Sequence, residues 1–229
     1  MTRPGTPARR GWFITLEGPD GAGKTTQAQR LATHLRTAGH DVHVTREPGG
    51  TWLGERLREL LLARTASTSR TDPLTDALLF NAARRQLVTE VIAPALAAGR
   101  TLLCARFADS TLAYQGYGAG VPLDDLRALA HAATGGLSPD LTILLDLPVE
   151  AGLALKAPGD VTRFEAEFDL DFHRRVREGF LAMAVASPGR FAVIDASRGA
   201  DEVAASAAIA VDRVLREGEP KPGLERTTR

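Results

Sequence analysis

The sequence predicts an α/β fold in which a five-stranded parallel sheet is flanked by helices and carries a short lid. Short β-rich apolar runs alternate with helical segments, and runs such as 191–194 are continuously apolar, which is typical of strands buried on both faces. Helices between such strands form right-handed crossovers. A length of 229 residues, 44% of them hydrophobic, suits one domain with a full core.

The individual elements follow from this pattern. Strands are predicted at 12–17, 41–46, 101–105, 141–147 and 191–195. Helices are predicted at 24–38, 52–62, 73–98, 122–133, 165–186 and 200–216. Proline-containing ends at 1–10 and 217–229 are predicted to be disordered tails, which leaves 11–216 as one domain with a lid at about 150–168. Ligands should gather at the carboxyl ends of the strands.

Composition narrows the function classes. The formal net charge is zero, which gives no support to a nucleic-acid or membrane-surface role. No apolar run approaches the length of a membrane span. The single cysteine, Cys104, excludes an internal disulfide and fits a reducing compartment. We therefore expect a cytoplasmic protein without a nucleic-acid or membrane partner.

A phosphate-binding loop follows the first predicted strand. Residues 18–26 fit the pattern G-x-x-x-x-G-K-[ST] and lead into the amphipathic helix that this motif requires. The glycines let backbone N–H groups surround phosphate oxygens, Lys24 can reach the β- and γ-phosphates, and the Thr25 hydroxyl can ligate Mg²⁺. The predicted ATP-binding residues are Gly18, Pro19, Asp20, Gly21, Ala22, Gly23, Lys24, Thr25 and Thr26. The motif predicts a P-loop NTPase.

The loop after the second strand and the long third helix carry candidate substrate-binding residues. Glu47 and Pro48 begin a tight turn at the ligand edge of the sheet, although the segment could also be an ordinary turn with Thr51 as helix cap. Phe80 and Arg84 share a helix face, where a ring and a guanidinium can stack on a planar base and bond its edge. Alternatively, Phe80 packs in the core and Arg84 is solvated.

A strand that runs into a polar helical turn provides a second group of candidates. Arg106 would emerge at the carboxyl end of this strand, where it could clamp a phosphate with two hydrogen bonds. The pairs Ser110–Tyr114 and Thr111–Gln115 have i,i+4 spacing and present hydroxyls and an amide toward one site.

The segment 150–168 has the composition of a lid. It contains Lys156, the helix-breaking pair 158–159 and Arg163, and a flexible cationic loop beside a phosphate site can close over the transferring phosphate. The alternative is a surface loop with ordinary charges.

Together these segments resemble the thymidylate kinase family over about residues 12–212. The resemblance rests on five motifs in the family's order: the phosphate loop 17–26, Arg-Glu-Pro-Gly-Gly-Thr at 46–51, Leu-Leu-Phe-x-Ala-x-Arg at 78–84, Ala-Tyr-Gln-Gly at 113–116, and Arg-Phe-Glu at 163–165 leading into Val-Arg-x-Gly at 176–179. It implies transfer of the ATP γ-phosphoryl group to dTMP in dTTP biosynthesis, with Mg²⁺ required, and a homodimer.

The resemblance also implies roles for single residues. Phe80 would stack on thymine, Tyr114 would crowd the sugar 2′ position, and Arg106 would bind the acceptor phosphate. Asp20 and Glu47 would lie near the acceptor's sugar and phosphate. The residues that would address the polar edge of thymine are Arg84, Thr111 and Gln115. The implied catalytic residues are Lys24, Asp20, Arg106, Lys156 and Arg163, and the implied metal ligands are Thr25 and Asp20. The implied substrate-binding residues are Glu47, Pro48, Phe80, Arg84, Arg106, Ser110, Thr111, Tyr114 and Gln115.

Two departures from the family pattern lie at the catalytic centre. The family usually carries Asp where this chain has Ala105, so an acid that would help to organise Mg²⁺ is missing; Asp20 or Asp146 could compensate. Residues 151–162 offer only Lys156 as a lid cation, and lysine is a point charge rather than the planar fork of arginine. Three alternatives stay open: a divergent or weakly active paralogue that binds nucleotide, a kinase for another pyrimidine deoxynucleotide, and a nucleotide-dependent switch protein, whose acceptor-site residues would be idle.

Overall fold

A parallel sheet of five strands organises the part of the chain that the structure describes. The structure is a computed structural model, and it describes residues 10–63, 71–157, 159, 161–218 and 220. The strands are β1 (Phe13–Glu17), β2 (Val42–Arg46), β3 (Thr101–Ala105), β4 (Leu141–Asp146) and β5 (Phe191–Asp195). Their order in the sheet is β2-β3-β1-β4-β5. Because the chain turns to opposite sides of β1, a ligand crevice is expected at the carboxyl end of that strand.

Helices cover the sheet and supply much of the site. They are α1 (Lys24–Thr37), α2 (Trp52–Leu62), α3 (Pro73–Leu87), α4 (Ala93–Ala97), α5 (Ala108–Thr111), α6 (Leu123–Thr134), α7 (Val149–Ala154), α8 (Arg163–Glu167), α9 (Leu170–Ala186) and α10 (Ala200–Glu217). Two π-helical segments join this set: Val88–Ile92 connects α3 to α4, and Leu112–Gly118 continues α5. Pro94 lacks the N–H that a regular helix would use there, which explains the first of these segments.

Packing on both faces of the sheet explains the apolar strands. On β1, Phe13 packs with Phe107 on one side, while Ile14 and Leu16 pack toward α1 on the other. A third buried cluster is rich in aromatic residues and lies beside α8 and α9. Within the described residues, no helix is both long enough and apolar enough to cross a membrane.

The predicted strands agree with the structure to within one residue at each end, and most helices agree closely. The predicted helix 165–186 is wrong in one respect, because it consists of α8 and α9. Phe168 is extended between them, and the Asp169 carboxylate accepts the Phe172 N–H and so caps a new helix. The short helices α5 and α7 were not predicted, since four to six residues are too few to show a helical period.

The predicted tails lie mostly outside the described residues, which exclude 1–9, 219 and 221–229. The boundary of the first tail needs a correction at Arg10. Its guanidinium bonds both carboxylate oxygens of Asp140, at 2.9 and 2.7 Å, because that carboxylate also accepts the Phe13 N–H and is held at the start of β1. Ordered structure therefore begins no later than Arg10.

Candidate active site

The carboxyl ends of β1, β2 and β3 surround a cavity of about 510 Å³. Sixteen of the predicted site residues line it: Asp20, Gly21, Gly23, Lys24, Thr25, Thr26, Glu47, Pro48, Phe80, Arg84, Arg106, Ser110, Thr111, Tyr114, Gln115 and Lys156. Four predicted site residues do not: Gly18, Pro19, Ala22 and Arg163. Residues far apart in the sequence thus meet at one edge of the sheet, where the topology places a crevice.

The phosphate loop connects β1 to the first turn of α1. Gly21 has a φ of 80°, and a Cβ atom there would lie 1.9 Å from the Gly152 carbonyl oxygen, so only glycine fits. Gly23 precedes α1, whose first turn contains no acidic residue. Because the N-terminal N–H groups of a helix lack intrahelical partners, this end of α1 is suited to an anion.

Lys24 is held beside the loop by two backbone carbonyls. Its Nζ donates to the Gly18 oxygen at 3.0 Å and the Pro19 oxygen at 2.7 Å. Burial, together with the nearby Arg106 guanidinium, lowers the pKa of Lys24 to about 7. An anion bound in the loop would favour the charged ammonium, so this lysine is placed to respond to phosphate.

Arg106 lies at the centre of a polar network at the end of β3. Its backbone φ is 70°, a left-handed conformation that is uncommon for a residue with a side chain. Its guanidinium donates to Asp20 at 2.7 Å, Ser110 at 3.0 Å and the Tyr114 hydroxyl at 3.2 Å. The Tyr114 hydroxyl in turn donates to Asp20 at 2.6 Å. The side chains predicted to meet the acceptor's phosphate and sugar therefore bond each other directly.

The charges in this network shift one another's pKa. Burial alone would raise the pKa of Asp20, but Arg106 and Lys24 outweigh burial and hold it below its usual value. Burial would lower the pKa of Arg106, whereas Tyr114 and Asp20 raise it. Burial raises the pKa of the Tyr114 hydroxyl well above its usual value. Near neutral pH the network therefore holds an ionised Asp20, a charged Arg106 and a neutral Tyr114.

A second buried network surrounds Arg84. This guanidinium donates to Glu47 at 2.9 Å, Asn81 at 2.7 Å, the Phe107 carbonyl at 3.2 Å and Thr111 at 3.0 Å. Arg84 is only 1% exposed, so the alternative of a solvated arginine is wrong; the buried Glu47 carboxylate explains its position. Glu47, which was predicted near the acceptor's sugar and phosphate, lines the cavity, and its carboxylate bonds Arg84. The predicted cap is also present, because Thr51 accepts the Gly54 N–H at 2.9 Å.

Aromatic side chains form one wall of the cavity. The Phe80 ring centroid lies 6.1 Å from that of Phe164, which lies 5.7 Å from that of Tyr114. Phe80 is half-buried and lines the cavity, so it is not simply a core residue. Phe164 belongs to α8 and brings the lid region into contact with the wall.

The lid contributes one cation to the cavity and holds a second elsewhere. Lys156 lines the cavity and is ion-paired with Glu165, whose carboxylate also accepts the Thr162 N–H and completes a capping box for α8. Arg163 was predicted to act in the lid as well. It is instead 4% exposed, ion-paired with Asp76 at 2.7 Å, and stacked on the Phe164 ring at 4.5 Å, because α8 turns its side chain toward α3.

Other parts of the site were missed in the sequence. Two residues were given no role from the sequence. Glu17 is a fully buried acid at the end of β1. Arg58 lies on α2, lines the cavity and donates to the Pro48 carbonyl at 3.0 Å. A charge at the end of an apolar strand was the available signal for Glu17. Asp146, considered as a substitute acid, bonds Arg177 through both oxygens at 2.7 and 2.8 Å and does not line the cavity.

Comparison with known proteins supports a kinase site. A family model described as thymidylate kinase matches residues 16–207. Among similar curated proteins, the thymidylate kinase of Deinococcus radiodurans is 55% identical over 197 residues, which cover 86% of this chain and 94% of that protein. The thymidylate kinase of Thermomicrobium roseum is 52% identical over 213 residues, which cover 92% of this chain and 99% of that protein.

A solved structure gives the same result. The crystal structure of thymidylate kinase from Ehrlichia chaffeensis superimposes with a TM-score of 0.69 at 35% identity, covering 90% of this chain and 99% of that one. The residues matched by the family model include the phosphate loop, Arg84 and Arg106. The chain belongs to the thymidylate kinase family.

Proposed function

We propose that this chain transfers the γ-phosphoryl group of ATP to dTMP and so forms dTDP and ADP. The observation that carries this proposal is that one cavity is lined both by a phosphate loop and by a second set of residues, which includes Arg106 and the aromatic wall. A switch protein would need only the phosphate loop. Phosphoryl transfer asks mainly for positioning and charge stabilisation, which such a cavity can supply.

The phosphate loop and Lys24 would bind the donor phosphates. In the presence of ATP, Nζ of Lys24 would leave the Gly18 and Pro19 carbonyls for a phosphate oxygen, which is a stronger acceptor because it is charged. The ammonium would then stabilise charge that develops on the transferring group.

Thr25 and Asp20 fit a magnesium ion that accompanies ATP. Both line the cavity and offer the oxygen ligands that Mg²⁺ prefers. Mg²⁺ in nucleotide sites is commonly held by one or two protein ligands together with substrate phosphates and water. When bound, Mg²⁺ would neutralise phosphate charge.

The acceptor phosphate would bind between Arg106 and Arg58. Arg106 sits at the end of β3 with its guanidinium held toward the phosphate loop by Asp20. Arg58 reaches the same cavity from α2. Burial together with Arg46 lowers the pKa of Arg58, and a bound anion would offset this effect by favouring the charged guanidinium. Two guanidinium groups can bind a phosphate with several charge-assisted hydrogen bonds.

The base would lie against Phe80, with Arg84 at its polar edge. Four hydrogen bonds to described residues occupy Arg84 and leave one of its five N–H groups for a ligand carbonyl. Thr111 and the buried Gln115 complete this edge of the cavity, and Tyr114 would crowd the sugar 2′ position. This set of donors and one ring suits thymine.

The decisive experiment is a coupled ADP-release assay with dTMP, dUMP, dCMP and UMP, each with and without Mg²⁺. We expect the highest kcat/KM with dTMP and no turnover without the metal. Higher kcat/KM with another pyrimidine nucleotide would contradict the assignment of the base. Absence of turnover with all four acceptors would contradict kinase activity and favour a protein that only binds nucleotide.

We also propose that the chain forms a homodimer. Helices α2 and α3 pack against each other and expose five large apolar side chains: Trp52, Leu53, Leu60, Leu74 and Leu78. Exposed apolar patches of this kind on soluble proteins are typical of protein interfaces. Sedimentation analysis should give a dimer that the Trp52→Glu substitution dissociates, and a wild-type monomer would contradict the proposal.

A further inference from the structure

Glu17 connects the first strand of the sheet to the segment that follows the third. Its side chain has no exposed surface. One carboxylate oxygen accepts the backbone N–H of Phe107 at 2.7 Å, and the other accepts the Ser110 hydroxyl at 2.6 Å. Phe107 directly follows Arg106 in the chain, and Ser110 lies four residues after it. A single carboxylate thus fixes the backbone next to Arg106 and the hydroxyl that this arginine bonds.

The backbone of Arg106 needs such support. A left-handed conformation at a residue other than glycine is strained and persists only where its surroundings hold it. The Arg106 N–H donates to the Leu16 carbonyl at 2.9 Å, and the Cys104 thiol donates to the Arg106 carbonyl at 3.0 Å. The Glu17 bond to the Phe107 N–H fixes the next peptide, and Ser110 links the carboxylate to the guanidinium of Arg106 itself.

We propose that Glu17 is a positioning residue, which holds Arg106 in the geometry that binds the acceptor phosphate and acts through Phe107 and Ser110. The inference rests on the role given to Arg106 under the proposed function. Glu17 does not line the cavity, so it would act on the substrate only through its neighbours. Substitution of Glu17 should therefore impair the binding and use of dTMP much more than the binding of ATP.

The pKa of Glu17 allows its effect on Arg106 to be distinguished from an effect on stability. The charged or titratable groups that act on it are Arg106, Lys24, Asp109 and Cys104. Burial, reinforced by Asp109, raises its pKa to about 7, against an ordinary value of 4.5. A carboxyl with a raised pKa favours the fold at low pH, and that contribution is lost as the pH rises through about 7. Above neutral pH the ionised group therefore costs stability, while it still orders Arg106.

The test compares Glu17→Gln with Asp140→Asn. Asp140 is a matched control, because it too is a buried carboxylate that accepts a backbone N–H and a side-chain hydrogen bond, here from Arg10, at the opposite end of β1. For Glu17→Gln we expect kcat/KM for dTMP to fall by about 10- to 100-fold, since misplacing a binding group by ~1 Å can cost that much. The KM for ATP should stay within about twofold of the wild-type value.

Thermal unfolding supplies the second readout. We expect the difference in melting temperature, variant minus wild type, to be more positive at pH 8 than at pH 5.5 for Glu17→Gln, because the amide does not ionise. Asp140→Asn should lower the melting temperature and leave the dTMP parameters unchanged. Equal losses of dTMP and ATP efficiency in Glu17→Gln, or wild-type kinetics, would overturn the inference.

Wild-type turnover keeps this inference separate from the proposed function. A wild type without dTMP kinase activity would contradict the proposed function, whereas an active wild type with an equally active Glu17→Gln variant would contradict only the role of Glu17. If Glu17→Gln does not fold, Glu17→Asp replaces it. The shorter carboxylate keeps the charge and cannot reach Phe107 and Ser110 together, so an unchanged KM for dTMP would overturn the inference and a rise of about 10-fold would support it.

Discussion

Arg84 and Glu47 form an ion pair at 2.9 Å with side chains only 1% and 5% exposed. One carboxylate oxygen of Glu47 accepts the arginine Nε–H, and the other, Oε1, has no hydrogen-bond partner in the described part of the chain. Burial raises the pKa of Glu47 to about 7, although Arg84 opposes this shift. The pair thus places charge under the base-binding end of the cavity at a cost to the fold.

Arg84→Met should therefore destabilise the protein in a pH-dependent way. Breaking a buried ion pair costs roughly 3–5 kcal/mol, because the remaining charge has no partner. A carboxyl with a raised pKa supports the fold below its unfolded pKa and loses that contribution as the pH rises through about 7. Urea unfolding should thus show a larger loss at pH 8 than at pH 5.5.

The control for this prediction is Arg100→Met. Arg100 pairs with Asp41 on the surface, with side chains 37% and 66% exposed, and an exposed pair contributes at most about 1 kcal/mol. Similar losses in the two variants, or no pH dependence for Arg84→Met, would contradict the account of the buried pair.

Phe80→Ala should weaken dTMP binding far more than ATP binding. Stacking of a base on an aromatic ring contributes roughly 1–3 kcal/mol, and Phe80 lines the cavity from α3, beside the Phe164 ring. Calorimetric titration with each nucleotide measures the two affinities separately. Equal weakening of both would point to a packing role within the aromatic cluster around Phe164.

Lys24→Met should abolish phosphoryl transfer without harming the fold. Loss of one group that stabilises transition-state charge costs on the order of 100-fold or more in kcat. A lysine whose folded pKa is lowered to about 7 disfavours folding while it is protonated, so its removal should raise the melting temperature. This gain should be largest below pH 7 and shrink toward pH 10. A folded variant with normal turnover would refute the phosphate-loop assignment.

The two lid cations should behave differently. Lys156 lines the cavity, so Lys156→Met should lower kcat. Because Lys156 also pairs with the buried Glu165 carboxylate, this variant should lose some stability as well. Arg163 is buried against Asp76, so Arg163→Met should mainly lower stability, by roughly 3–5 kcal/mol. Steady-state kinetics and urea unfolding on both variants test this division. A larger kcat loss in a stable Arg163→Met protein would restore Arg163 to the catalytic set.

The sequence was sufficient for the sheet and for most cavity residues, because apolar periodicity and the phosphate-loop pattern are local signals. The position of Arg163 could not be predicted from the sequence, because charge and spacing do not show whether α8 turns a side chain toward the cavity or toward α3. The role of Glu17 depends on the register of β1 with β3, which brings it beside residues about 90 positions later. Contacts of this kind exist only in the folded chain.

Ala105 is the departure from the family with the clearest consequence. It is buried at the end of β3, and its carbonyl accepts the Glu47 N–H at 2.9 Å. Two carboxyls in this region, Glu17 and Glu47, already have a pKa raised to about 7, chiefly by burial. A third carboxylate would therefore add repulsion unless a cation balances it.

Ala105→Asp should accordingly make the protein depend more on its metal. Without Mg²⁺ we expect a lower melting temperature than in the neutral control Ala105→Asn, because the new charge is buried among acids. With ATP and Mg²⁺ the difference should shrink, the half-saturating Mg²⁺ concentration should fall and kcat should rise, since the carboxylate can help to order the ion and its waters. The KM for dTMP should change little, because Phe80 and Arg84, which would bind the base, lie on α3 rather than on β3. A fall in kcat at saturating Mg²⁺, with Ala105→Asn unaffected, would mean that the site is adapted to alanine, because the carboxylate would then face the phosphates without an ion between them.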